Sequence, residues 1–207
     1  MTREEKQKLL DDLKEKMLHD ESLPLKHGAT NLVFGEGNPE AQIFFLGEGP
    51  GYWEDIKGRP FVGNAGALLN QLLYSIELPR EEVFITNVVC FRPPNNRDPE
   101  PAEIEAFQKY IDEMIKIIGP KVIVTLGRFS MGKFLSGARI SSVHGKTFRV
   151  NWKVSEIIVV PMYHPAAALR SGEVMAQIKA DFLKLPEVLK EVENSDEKLS
   201  SEQMSLV

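Results

Sequence analysis

The chain has 207 residues, enough for one globular domain that buries roughly 70% of its unfolded surface. Its 43% apolar and 27% charged residues are ordinary for a soluble fold and exclude a disordered composition. The net charge of −5 is uneven: residues 1–22 hold −2 and 181–207 hold −4, which leaves +1 between them, so charge does not exclude an enzyme that visits DNA through a local basic patch.

In chain order, Leu9, Leu10, Leu13, Met17 and Leu18 form a helical stripe in a charged segment with no apolar signal-peptide core. An irregular stretch rich in turn residues runs on to about residue 40. Four apolar runs follow, Gln42–Leu46, Val83–Cys90, Val122–Leu126 and Ile157–Tyr163, and their near-continuous character reads as parallel strands covered on both faces. The runs are far too short to span a bilayer, so no membrane partner is expected. Between them lie helices: one capped by Asn64 and carrying Leu68, Leu69, Leu72, Leu73 and Ile76, and one from Pro101 with Ile104, Phe107, Ile111, Met114, Ile115 and Ile118 on one face. A short helix spans Arg128 to Leu135, and a last one covers about Val174 to Val192 before a polar tail. The expected fold is α/β: a single domain of three α/β/α layers around a four-stranded parallel sheet, with 1–30 as an N-terminal helix and irregular segment, 31–192 as the domain and 193–207 as a tail. One cysteine rules out a disulfide framework and a cysteine-only metal site, and a cytoplasmic monomer is expected.

Open parallel sheets bind ligands beyond the carboxyl ends of their strands. Here the first strand runs into Gly47-Glu48-Gly49-Pro50-Gly51, the second holds Asn87, the third ends at Gly127 and the fourth at His164-Pro165. A carboxylate, an amide, exposed backbone and an imidazole thus converge, which is an active-site pattern. Each part alone also has a plainer reading. The glycine-rich turn is equally a tight connection, and it lacks both the Lys-Ser/Thr of a P-loop and the third glycine of a dinucleotide fingerprint. Asn87 could be a core amide bonded to backbone, but strands disfavour Asn and burying an unsatisfied amide costs about 1–3 kcal/mol. Phe61 alone is a core ring, Cys90 a small buried hydrophobe, and His19, His27 and His144 carry no pattern.

The stretch GEGPGYWEDIKGRPFVGNAGALL (47–69) resembles the first signature of family 4 uracil-DNA glycosylases. ITNVVCFRPPNNRDPEPAEIEAF (85–107) is similar to the central segment of that family, and TLGRFSMGKFL and YHPAAALR resemble its third strand end and second signature. The resemblance covers about three quarters of the chain. It implies hydrolysis of the N-glycosidic bond of deoxyuridine in DNA, with the base flipped from the stack into a pocket. Under it Phe61 stacks on the base, Asn87 reads the pyrimidine edge, and Glu54 crowds C5 against the thymine methyl. His164 hydrogen-bonds O2 of the departing anion, backbone around Gly49 assists, and Glu48 orients water or stabilises the cationic sugar. Asp55 is a further catalytic candidate whose plainer role is to hold the loop. Arg59, Arg92, Leu169 and Arg170 are the expected DNA contacts, with Lys57 and Arg97 adding to the basic patch, and uracil-containing DNA is the expected partner.

The sequence departs from the family twice. The family carries an iron–sulfur cluster on four cysteines, whereas here the N-terminal pair has no counterpart and the central positions are Phe91 and Phe107, with Cys90 alone nearby. One thiolate cannot hold such a cluster, so no cofactor and no metal are expected, with apolar packing in its place. In HPAAALR the wedge position is Ala168, leaving Leu169 or Arg170 to fill the gap in the duplex. Two other readings compete: a weakly catalytic binder of uracil-DNA or abasic sites, and a hydrolase of free nucleosides. A related branch that cross-links through a loop histidine is disfavoured, because residues 92–107 contain none.

Overall fold

The computed structural model describes residues 1–153 and 155–204. Helix α1 (Arg3–His19) leads through an irregular segment to β1 (Glu36–Gly37) and β2 (Ile43–Gly47). Next come α2 (Tyr52–Lys57), α3 (Asn64–Ser75), β3 (Phe84–Asn87), α4 (Pro101–Ile118) and β4 (Val122–Leu126). Short helices α5 (Arg128–Gly132) and α6 (Ile140–Val143) precede β5 (Phe148–Trp152) and β6 (Ser155–Met162). The chain ends with α7 (Pro165–Ala168), α8 (Gly172–Phe182) and α9 (Leu185–Met204).

Among the described residues the sheet has six strands rather than the expected four, in the order β1-β3-β2-β4-β6-β5. The inner four are parallel and match the four apolar runs, while β1 and β5 close the edges antiparallel. Both edge strands escape a search for continuous apolar runs. β1 is only two residues long, and β5 alternates half-buried Phe148, Val150 and Trp152 with exposed Arg149 and Asn151. That period of two is a legible strand signal for a sheet edge with one wet face.

Strand residues alternate between two cores, as the pleat requires. Phe44, Leu46, Phe84, Ile123 and Val159 face the layer of α1 and α4, while Ile43, Phe45, Ile85, Val124 and Val160 face α3, α8 and α9. Helix α1 joins the first core through Leu10, Leu13 and Met17, whereas Leu9 and Leu18 stay exposed, so the stripe is narrower than expected. It is tied to α4 by Asp20, which accepts hydrogen bonds from Lys109 and Tyr110 at 2.8 and 2.7 Å.

Three boundaries shift. The second apolar run is a strand only to Asn87, because Val88 and Val89 turn to donate their N–H groups to the carbonyls of Gly47 and Glu48. Gly63, not Asn64, is the N-cap of α3. The expected last helix is two, α8 and α9, divided at Leu183–Lys184, and the tail is helical through Met204 while 205–207 lie outside the described residues.

Candidate active site

The carboxyl ends of β2, β3 and β6 open into a pocket of about 340 Å³, lined by Glu48, Glu54, Phe61, Asn87, His164 and Arg170 among others. Its size suits a small ligand. Register explains the convergence: Gly47 pairs with Asn87 across β2 and β3, and a Cβ at Gly47 would collide with the Asn87 Oδ1 and the Phe61 ring. A side chain at 47 would therefore fill the place where these groups meet.

Asn87 is the least ordinary group in the site. Its Oδ1 and Nδ2 are both buried, and among the described residues neither has a hydrogen-bond partner. A buried amide left in this state costs about 1–3 kcal/mol per group, so the fold carries a donor and an acceptor held ready for something else. Beside it, Phe61 is buried with φ at +50°, a backbone conformation that bulky residues rarely adopt. The turn is over-determined. Val62 and Gly63 donate their N–H groups to Glu54 Oε1 at 2.7 and 2.8 Å, and Gly66 leaves room for the Phe61 carbonyl. Glu54 thus forms part of the wall and fixes the aromatic that follows.

His164 caps α7: its Nδ1 accepts the Ala166 N–H at 3.1 Å. A neutral ring with Nδ1 as acceptor carries its proton on Nε2, and its face stacks on Phe61 at 5.5 Å between centroids. Burial pushes its pKa down to about 4, against a smaller opposing pull from the Glu54 charge. The imidazole is therefore neutral across the physiological range. The unfolded chain binds this proton near pH 6.5, so the folded state loses stability as pH falls from there toward 4. In a ¹⁵N-labelled sample the His164 ring is expected to stay neutral from pH 8 to 5, and a midpoint near 6.5 would contradict the burial argument.

Glu48 sits where β2 ends, its Oε1 accepting the Phe129 N–H at 3.1 Å. Burial raises its pKa; the Phe129 N–H and Arg128 oppose the rise and Asp98 adds to it. Gly127, at φ +106°, is held where a Cβ would strike this carboxylate, so the glycine at the end of β4 makes room for Glu48.

The other expected residues divide. Gly49 lines the pocket, and Arg170 stands at its edge. Leu169 is 48% exposed while Ala168 is buried, so Leu169 is the protruding apolar side chain of this loop. Asp55 is placed as a loop-holding carboxylate, apart from the other catalytic candidates. It is 3% exposed and outside the pocket lining, and its Oδ1 accepts the Thr30 and Asn31 N–H groups at 2.8 and 3.1 Å, which ties the α2 loop to the N-terminal segment. Arg59 is also away from the lining, paired with Glu36 at 2.6 Å, whereas Arg97 lines the pocket while paired with Glu103 at 2.6 Å. Arg92 lies over the Tyr52 ring and donates to Asn96. Sequence reasoning missed the wall formed by Pro93, Asn96, Asp98 and Pro99. The signal was the Pro-Asn-rich turn itself, in which Asn95 and Asn96 both take φ of +53°.

A doubly wound α/β sheet whose strand ends bring together an amide without partners among the described residues, a neutral imidazole donor and a buried carboxylate has the chemistry to bind a small planar polar group. Residues 34–187 match the Uracil DNA glycosylase superfamily, and the chain belongs to that family. It is 49% identical over 187 residues to a type-4 uracil-DNA glycosylase of Sulfurisphaera tokodaii, covering 86% of this chain and 84% of that protein. Similar matches are to the type-4 uracil-DNA glycosylases of Archaeoglobus fulgidus, 43% identical over 86% of this chain and 92% of that one, and of Thermotoga maritima, 42% identical over 82% and 86%.

Proposed function

We propose that this protein is a DNA-repair uracil-DNA glycosylase that flips uracil from DNA and hydrolyses its N-glycosidic bond, leaving an abasic site. The observation that carries the reading is Asn87, with both amide atoms buried and without partners among the described residues in a pocket shared with Glu48 and His164. Its Nδ2 can donate to uracil O4 and its Oδ1 can accept from N3–H, whereas cytosine presents the opposite pattern at both atoms. Phe61 supplies a face for the ring, and Glu54 stands in the wall that limits what fits at C5. As the bond from N1 to C1′ breaks, its electron pair leaves with the base and charge gathers on O2. The His164 Nε2–H meets that charge with a neutral donor. The Glu48 carboxylate faces the positive sugar and takes a proton from the water that adds to C1′. Leu169 enters the duplex where the base has left, and Arg92 and Arg170 contact phosphate.

A uracil-containing oligonucleotide and free deoxyuridine, compared in one cleavage assay, test this. Abasic sites in the oligonucleotide with deoxyuridine intact are expected. Equal turnover of both would favour the nucleoside hydrolase, and tight binding without abasic product would favour the binder.

The iron–sulfur cluster implied by the resemblance does not fit the residues present. The sequence has one cysteine, and burial pushes the Cys90 thiol up to about 12, far from the thiolate a cluster needs. At the positions where cluster cysteines were expected, Phe91 and Phe107 pack at 6.1 Å between centroids inside the core shared by α1 and α4. We propose that this packing takes over the tie between the N-terminal and central segments. Phe107→Ala is expected to cost about 3–5 kcal/mol in denaturant unfolding. A negligible loss, or stoichiometric iron and acid-labile sulfide in fresh protein, would overturn the proposal.

A further inference from the structure

We propose that Tyr52 and Trp53 form a stacking subsite for the nucleobase next to the uracil on the same strand, an inference that rests on the uracil-DNA reading above. The two aromatics are adjacent in the first turn of α2, between Gly51 and Glu54, which both line the pocket. They are 49% and 55% exposed, while Phe61, in the same loop, is buried. Among the described residues neither ring belongs to either hydrophobic core.

Their arrangement suits a planar guest. The rings meet edge to face, 5.1 Å between centroids and 77° between planes, and so form a corner with two differently directed faces. Arg92 holds its guanidinium 5.2 Å from the Tyr52 ring centre, and its Nε donates at 2.7 Å to the Oδ1 of Asn96, a pocket residue. A positive charge is thus fixed between the corner and the pocket, where a phosphate joining two nucleotides would pass. The corner also stands beside the loop that carries Phe61: the Trp53 Cδ1 lies 3.6 Å from where a Cβ on Gly63 would be, and the Gly63 N–H is held by Glu54.

The ligand chemistry follows from base flipping. When uracil leaves the stack, its neighbour loses a stacked face, and a fixed aromatic ring can replace that face. Every base has such a face, so the subsite tolerates any neighbour and favours strands that are already unstacked. Arg92 adds charge complementarity to the DNA backbone, and continuity with the uracil pocket decides for a nucleotide of the substrate over a separate partner.

The test uses two single-stranded uracil oligonucleotides, one with natural neighbours and one with tetrahydrofuran spacers on both sides of the uracil. Binding and single-turnover cleavage are measured for each. The wild type is expected to bind the spacer strand about tenfold more weakly, since a stacked base is worth about that factor or more. Tyr52→Ala/Trp53→Ala protein should bind the natural strand about tenfold more weakly and lose the spacer penalty. Tyr74→Ala, which removes an exposed ring at the far end of α3, should match the wild type. In a Trp152→Phe background, the remaining tryptophan fluorescence should be quenched by the natural strand and not by the spacer strand. A double variant that binds the natural strand like wild type, or keeps the full spacer penalty, overturns the subsite. Wild-type protein that shows the penalty in binding but never cuts would overturn the glycosylase reading and support the subsite, whereas neither cutting nor penalty would overturn both.

Discussion

His164→Ala is expected to slow single-turnover cleavage of uracil-DNA by about 10²–10³-fold while changing affinity for the uncleaved strand little. The split follows from when the charge appears. Before bond cleavage uracil O2 is a neutral carbonyl; afterwards it carries much of an anion, and a fixed donor in a dry pocket gains most at that moment. The donor is already oriented, because the Ala166 N–H occupies Nδ1 and leaves the proton on Nε2. It is also neutral, with its pKa pushed down to about 4, so raising or lowering the pH between 5 and 8 should not alter its contribution. Loss of the α7 cap adds about 1 kcal/mol of instability, which urea unfolding can measure separately. His164→Gln, which restores an amide donor, should recover part of the rate. Rates near wild type for both variants would remove His164 from the chemistry.

The same residue shows why so much of the site was legible in the sequence. His164, Glu48 and Gly127 each stand just past the end of an apolar run and Asn87 breaks one from within, and in a parallel sheet the strand ends must lie together. Strand existence was readable because both faces of the inner strands are covered. The edge strands β1 and β5 were not read because one is too short and the other is half wet. Side-chain direction was less accessible. Asp55 stands one residue after Glu54 in the signature, yet a helical step of about 100° turns it from the pocket toward the N–H groups of Thr30 and Asn31. Arg59 likewise reads as a free cation in a basic stretch, but Glu36, on a strand invisible to periodicity, claims it. The Phe61 conformation could not be foreseen either, since it depends on Glu54 bonding forward to Val62 and Gly63 and on the open space over Gly66.

Asn87→Asp is expected to lower kcat/KM on uracil-DNA by about 10²–10³-fold at pH 8 and to erode discrimination against cytosine, with part of the uracil activity returning as the pH falls. The wild-type amide offers one donor and one acceptor in a pocket where neither has a protein partner among the described residues, and a site of this kind rejects a mismatched base by up to about 10⁴–10⁵. An ionised aspartate offers acceptors only. It faces uracil O4 with like charge and leaves that atom without a donor, while the N4 amino group of cytosine finds an acceptor. Burial raises the pKa of a carboxyl at this position, so acidification yields a neutral acid with one O–H donor and one carbonyl acceptor, the same pair the amide had. The direction of the pH effect is therefore opposite to that expected of Glu48: in its proposed role the ionised form is the working one, and its raised pKa is expected to make wild-type activity fall on the acid side. Measuring kcat/KM for both bases in the variant and the wild type from pH 5 to 8 separates the two limbs. A variant that keeps the wild-type rate and full discrimination at pH 8 would show that uracil is read by some other group.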